Sequence, residues 1–301
     1  MAKKRLLRLA EKIAESPFIE SKTFFTVNGT PYLKSPGTSL ISKPHIDPLG
    51  MKSFLAGFPE NYEFLKYLAD PVKLPPAEQL TKIAGQTCYL SFGPGRTWNK
   101  DAGKYFDNII FSGHGSVLEH ANFTFLLWGV SRSFTHELVR HRAGCGYSQV
   151  SQRYVSGRVL RFVERIEYQS DKTLHLLFEQ RIDRAFAEYT QMANYLYESQ
   201  NKGEKILSGE AKTDLRKKVQ QVARSLLPNE TEAPIVVTAN IRAWRHMINM
   251  RASNHSEIEI RNVFFNIYKL IKTVSPMLFY DFKVVHLPDG TSAVETKYPK
   301  V

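Results

Sequence analysis

The sequence predicts an α+β fold, and three observations carry that expectation. An aromatic, apolar run at 122–130 (NFTFLLWGV) reads as a buried strand. Four later stretches, 172–200, 213–227, 238–251 and 255–274, place apolar residues at helical spacing. Strands and helices do not alternate regularly, so a doubly wound parallel sheet is not expected.

Taken in order, residues 1–70 form an irregular extension. A basic amphipathic helix is expected near 3–15, with Lys3, Lys4, Arg5, Arg8 and Lys12 among apolar neighbours. Gly29, Pro31, Pro36, Gly37, Pro44, Pro48 and Gly50 then make a turn-rich stretch, expected to wrap over a core rather than build one. Pro71, Pro75 and Pro76 end this extension and open a main domain at 71–301. A short helix starts near Pro76, with Ala77, Leu80 and Ile83 on one face. After the strand, Phe134 and Leu138 suggest a helix from Ser131 that carries Arg140–Arg142 at its end and stops at Gly144. The long helix Lys172–Gln200 shows Leu174, Leu177, Phe178, Ile182, Phe186 and Tyr189. Thr213–Leu227 is a second helix, closed by Pro228. Thr238–Arg251 and His255–Val274 are two more, split around Ala252–Asn254.

Composition bounds the function. At 301 residues and 43% hydrophobic content the chain can bury a sizeable core. No window approaches the ~18 apolar residues of a membrane span, and no signal-peptide pattern is present, so a cytoplasmic protein is expected. Cys88 and Cys145 stand far apart in no metal-ligand spacing, so neither a disulfide nor a metal is expected. The net charge of +12 attracts polyanions without choosing among nucleotide, dinucleotide and nucleic acid.

Two segments carry the chemistry. In SRSFTHELVRHRAGCGYSQVSQRY (131–154), Arg140, His141 and Arg142 suit a helix C-terminus. Consecutive helical residues lie about 100° apart, so these three reach different parts of an extended ligand. Gly144 and Gly146 allow a tight turn and close backbone approach. Ser148, Ser151 and the amides beside Arg153 would cradle a phosphate, with Arg153 as a bidentate clamp. In NIRAWRHMINMRASNHSEIEI (240–260), Arg242, His246 and Asn249 share one helix face, opposite Trp244, Met247 and Ile248. The blander readings are a solvated basic helix end, and a hydrated face paired to Glu257 or Glu259. Cys145, between glycines and near arginines, reads either as a nucleophile of lowered pKa or as a buried filler, and the filler is preferred. His45 reads as a loop histidine, Phe264, Phe265 and Tyr268 as core, and Arg216-Lys217-Lys218 as a solvated face.

Together these segments resemble the flavin-dependent thymidylate synthases. The resemblance rests on Arg140-His141-Arg142 followed by Ser151-Gln152-Arg153-Tyr154. Upstream it includes Ser91, Gly113-His114-Gly115-Ser116 and Glu119-His120. Downstream it includes Val222-Ala223-Arg224, Leu227-Pro228, Asn240, Arg242, Arg251 and His255. It spans roughly 80–275. The loop before Ser151 is one residue longer than the family's common form. Glu137 and Gln221 stand where the family usually has Gln and Glu, and His246 where Asn is frequent.

The resemblance implies a central antiparallel sheet flanked by long helices, with an N-terminal extension before a catalytic domain. It implies FAD held by Ser91, His114, Ser116, Glu119, Arg140, His141, Arg142, Asn240, Arg242, His246 and His255. It places a uracil nucleotide on Ser151, Gln152, Arg153, Arg224 and Arg251, with Glu137 close by; Arg251, Ser151 and Glu137 are the catalytic candidates. The implied reaction is reductive methylation of dUMP at C5 to dTMP, with methylenetetrahydrofolate as one-carbon donor and NADPH as reductant. The implied assembly is a homotetramer with active sites at subunit junctions. The alternatives are a related flavoenzyme acting on another uracil nucleotide such as UMP, and a non-catalytic basic protein binding nucleic acid. The last would interleave arginine patches with exposed aromatics and gives the fixed histidines and glycines no task.

Overall fold

Alternation in the aromatic run sets the centre of the fold. The computed structural model describes residues 17–155, 159–200 and 209–301; the helix expected near 3–15 lies outside the described residues. Phe123, Phe125 and Leu127 point one way from strand β5 (Asn122–Trp128) and are fully buried, as period-2 geometry requires. Around β5 runs a five-stranded antiparallel sheet of order β1-β4-β5-β8-β6, built from β1 (Phe18–Ile19), β4 (Gly37–Ser42), β8 (Ile235–Asn240) and β6 (Cys145–Gln149). Ile235, Val237 and Ala239 of β8 continue the buried face.

That face packs on helices α8 (Ile241–Arg251) and α9 (Ile258–Val274). Trp244, Met247, Ile248, Val263, Phe264, Ile267 and Tyr268 belong to one core cluster with the sheet residues. The earlier helices α2 (Pro76–Cys88), α3 (Ala102–Phe111) and α4 (Arg132–Leu138) join them, whereas α1 (Lys52–Ala56) packs Leu55 with Phe64, Tyr67 and Phe92 in a separate cluster. Strands β2 (Thr23–Phe25), β3 (Pro31–Leu33) and β7 (Phe162–Val163) form a small mixed sheet. Short α5 (Ile166–Gln169) leads into the 29-residue α6 (Lys172–Gln200), which pairs with α7 (Gly209–Ala223). A hairpin of β9 (Lys283–His286) and β10 (Ser292–Glu295) closes the chain.

Several expectations need correction. The turn-rich extension does build core: β4 lies between β1 and β5, and Leu40 sits opposite Phe125 in the main cluster. The stretch expected as a helix from Thr238 finishes β8 first. Asn240 ends the strand, its Oδ1 accepting from the Ala243 amide at 2.9 Å. The last helix starts at Ile258 rather than His255, because Glu257 accepts from the amides of Glu259 and Ile260 and so caps it. The second helical stretch runs Gly209–Ala223, then tightens into a 3₁₀ turn at Arg224–Leu226. On α6 the buried stripe is Phe178, Ile182, Ala185 and Tyr189; Leu174 and Leu177 lie off it and are exposed.

Candidate active site

The site is built where α4 ends. Ser131 starts this helix, its Oγ accepting from the Phe134 amide at 3.1 Å. Its own N–H and O–H donate to the Glu259 carboxylate at 2.6 and 2.7 Å, which ties α4 to α9. The helix stops at Leu138, earlier than expected, so Arg140, His141 and Arg142 occupy the turn beyond it. The Tyr147 hydroxyl pins that turn, lying 2.6 Å from the His141 carbonyl and 3.2 Å from that of Leu138. Gly144 takes φ +70°, a region costly to a side chain. A Cβ there would also sit 2.6 Å from Asn240 Nδ2. The Asn240 amide donates back to the Gly144 carbonyl at 3.2 Å, so one asparagine caps α8 and closes the turn.

The turn brings distant residues together. Arg251, the last residue of α8, donates from Nε to His141 Nε2 at 2.9 Å and from Nη1 to Glu137 Oε2 at 3.1 Å. His246 meets the His141 ring edge-on, with centroids 6.1 Å apart. Burial first, then the charge of Arg251 and the neighbouring His246, lower the His141 pKa. A neutral ring with a free Nε2 lone pair is the form that accepts from Arg251. Beside it, Arg140 approaches His136 at 3.2 Å. Arg242, one turn earlier on α8, pairs with Glu119 at 2.5 Å and crosses Gly115 so closely that a Cβ there would meet its Nε at 2.7 Å. His114, Ser116 and Glu119 line that same exposed segment, and Arg140, Arg142, Arg242 and His246 are exposed as well.

A second group lies past the edge strand. Gln152 is buried and accepts from Arg132 Nη1 at 2.7 Å, while its Nε2 has no hydrogen-bond partner among the described residues. The Arg153 amide donates to Ser151 Oγ at 3.3 Å; its exposed guanidinium lies 5.6 Å from the Tyr154 ring centre. Ser148 is exposed on β6. A cleft of about 600 Å³ opens beside Gln152, lined also by Phe25, Val150, Leu160 and Arg161. None of the His141–Arg251 group lines it. Ser91 bonds to Gln86 of its own turn, donating to its carbonyl and accepting from its Nε2 at 3.1 Å. Half-buried Arg224 and exposed His255 have no hydrogen bond or ion pair to either group among the described residues. Burial raises the Cys145 thiol, the opposite of activation. Glu257 and Glu259 pair with Arg165 rather than with the polar face of α8.

Sequence reasoning missed Arg132, Tyr147 and Glu259. Tyr147 follows the period-2 pattern of β6. The other two act across the fold and leave no local signal.

The family model described as thymidylate synthase complementing protein matches residues 72–277. A flavin-dependent thymidylate synthase of Mycolicibacterium gilvum is 42% identical over 213 residues, 70% of this chain and 82% of that one. One from Mycobacterium sp. strain KMS is 42% identical over 217 residues, covering 72% and 84%. Another, from Mycobacterium tuberculosis strain ATCC 25177, is 41% identical over 213 residues, covering 70% and 82%. The chain belongs to the flavin-dependent thymidylate synthase family. Both groups described above lie inside the matched segment, whereas β1 to β4 precede it. Among the described residues no helix is long and apolar enough to cross a membrane.

Proposed function

We propose that the chain catalyses the reductive methylation of dUMP at C5 to dTMP, using methylenetetrahydrofolate as one-carbon donor and NADPH as reductant. The observation that carries this reading is the convergence of His141, His246, Arg251 and Glu137 on one turn, with Arg140, Arg142 and Arg242 exposed around it. The donor set fits FAD: these cations suit a diphosphate, and the missing side chain at Gly115 is what lets the Arg242 guanidinium lie across that backbone. His114, Ser116, Glu119, Arg140, His141, Arg142, Asn240, Arg242 and His246 would hold it, with Ser91 and His255 brought in by a neighbouring subunit. When bound, FAD supplies the hydride chemistry that no protein side chain offers.

The protein's own residues bind and orient. Arg153 and Arg224 clamp the nucleotide phosphate, with Ser151 and Gln152 beside them; the unpartnered Gln152 Nε2 is a free donor for that purpose. Arg251 stabilises negative charge developing on the pyrimidine as C5 becomes nucleophilic. Ser151 acts as a ring or phosphate contact. Exposed Leu176, Leu177, Tyr195 and Val222 give α6 and α7 apolar surface to bury in a homotetramer with shared sites.

Purified protein is expected to be yellow or to turn yellow with FAD, and anaerobic NADPH is expected to bleach it faster with dUMP present. Bleaching accelerated by UMP and not dUMP would replace the nucleotide in this reading. Arg142→Ala is expected to strip flavin, and Arg153→Ala to raise the dUMP concentration required while flavin stays bound. Equal loss of FAD from both variants contradicts the division of the site.

A further inference from the structure

We propose that Glu137 is a built-in competitor of the nucleotide, a carboxylate that occupies Arg251 until the substrate's pyrimidine displaces it. This rests on the reading of Arg251 as a nucleotide contact. Three features of the contact point to it. The pair is only partly covered, Arg251 at 23% side-chain exposure and Glu137 at 47%, so solvent and ligand reach it. Exposed pairs of this kind contribute about 0–1 kcal/mol, too little to explain a carboxylate placed here for stability. Glu137 also sits in the last turn of α4, where the helix end disfavours negative charge.

Among the described residues Glu137 is the one anion paired with this guanidinium. His141, the other acceptor, is held toward its neutral form by burial. His141 therefore aims the guanidinium through Nε, while Glu137 supplies the charge that a ligand must replace on Nη1. A pyrimidine carbonyl has to displace the carboxylate from Nη1 before it can accept there, so Glu137 lowers ground-state affinity for the nucleotide.

The test is calorimetric titration of flavin-loaded protein with dUMP, comparing wild type with Glu137→Gln. The substitution keeps the shape and one acceptor while removing the charge. The expected result is a dissociation constant about 1.5- to 5-fold lower in the variant, the range of a half-exposed ion pair. A merely structural role for Glu137 predicts unchanged or weaker binding, and so does direct acceptance of a uracil N–H by its carboxylate; either outcome overturns the inference alone. Absence of dUMP binding to both proteins overturns the nucleotide reading of the site, and the inference with it. Thermal melting verifies the fold. Should Glu137→Gln melt early, Glu137→Asp keeps the charge but withdraws it from Arg251, and the same direction of change is expected.

Discussion

Arg242 and Arg245 stand three residues apart on the 11-residue α8 and live under different physics. Arg245 is 1% exposed; its Nη1 and Nη2 meet Asp281 at 2.7 and 2.8 Å, and it also donates to the carbonyls of Leu278 and Val301. Arg242 is 46% exposed and, among the described residues, pairs with Glu119. The first is spent on holding the C-terminal segment against the core. The second leaves donors open to solvent, where the proposed function puts a ligand. In a chain of net charge +12, the useful question about an arginine is therefore what remains unsatisfied on it.

The contrast breaks most visibly at Arg245. Arg245→Ala leaves Asp281 buried without its partner, and a loss of about 3–5 kcal/mol is expected in denaturant unfolding. A loss under about 1 kcal/mol would remove the distinction between the two arginines.

Glu78 sharpens it as a buried carboxyl with no cation paired to it among the described residues. It is 0% exposed, accepts from the Met277 amide at 2.8 Å, and leaves Oε2 without a partner among those residues. Burial pushes its carboxyl up to about 7, against the lowering effect of that amide. The folded state therefore binds this proton more tightly than the unfolded chain does. The resulting stabilisation is complete below the usual carboxylate range and is lost as pH rises through about 7. Glu78→Gln is expected to flatten that limb of a stability–pH curve by about 1–3 kcal/mol. An unchanged slope between pH 5 and 8 would argue that a water or ion compensates the charge.

The smallest change in stability belongs to Arg242→Ala, at about 0–1 kcal/mol. Its thermal melt should nearly overlay that of wild type while flavin retention, read from absorbance, falls. Retained flavin would place Arg242 with the solvated surface.

Much of this was legible in the sequence, for identifiable reasons. The strand at 122–130, the helix from Pro76 and the helix Lys172–Gln200 follow from periodicity, although in the helices it misplaced part of the buried face, as exposed Leu174 and Leu177 and half-buried Leu80 and Ile83 show. The pairing of Arg242 with His246 on one exposed face, opposite Trp244, Met247 and Ile248, follows from helical spacing. Boundaries at Thr238 and His255 were misplaced because a side-chain cap, Asn240 or Glu257, decides them. Arg245 was invisible for a different reason: its partners Asp281, Leu278 and Val301 lie more than thirty residues away in the chain. The same holds for the contact of Arg251 with His141, 110 residues apart. Only the motif resemblance put those two stretches in one site.

The place of β4 has a practical consequence for anyone shortening this protein. Residues 37–42 precede the matched segment 72–277, yet they are paired along β5 from Trp128 to Thr124. A fragment trimmed to the family boundary would bare the amides and carbonyls of that aromatic strand and open a hole where Leu40 fills the interior. Such an edge is a template for intermolecular zipping, so a minimal soluble version has to retain the chain from about residue 17 onward.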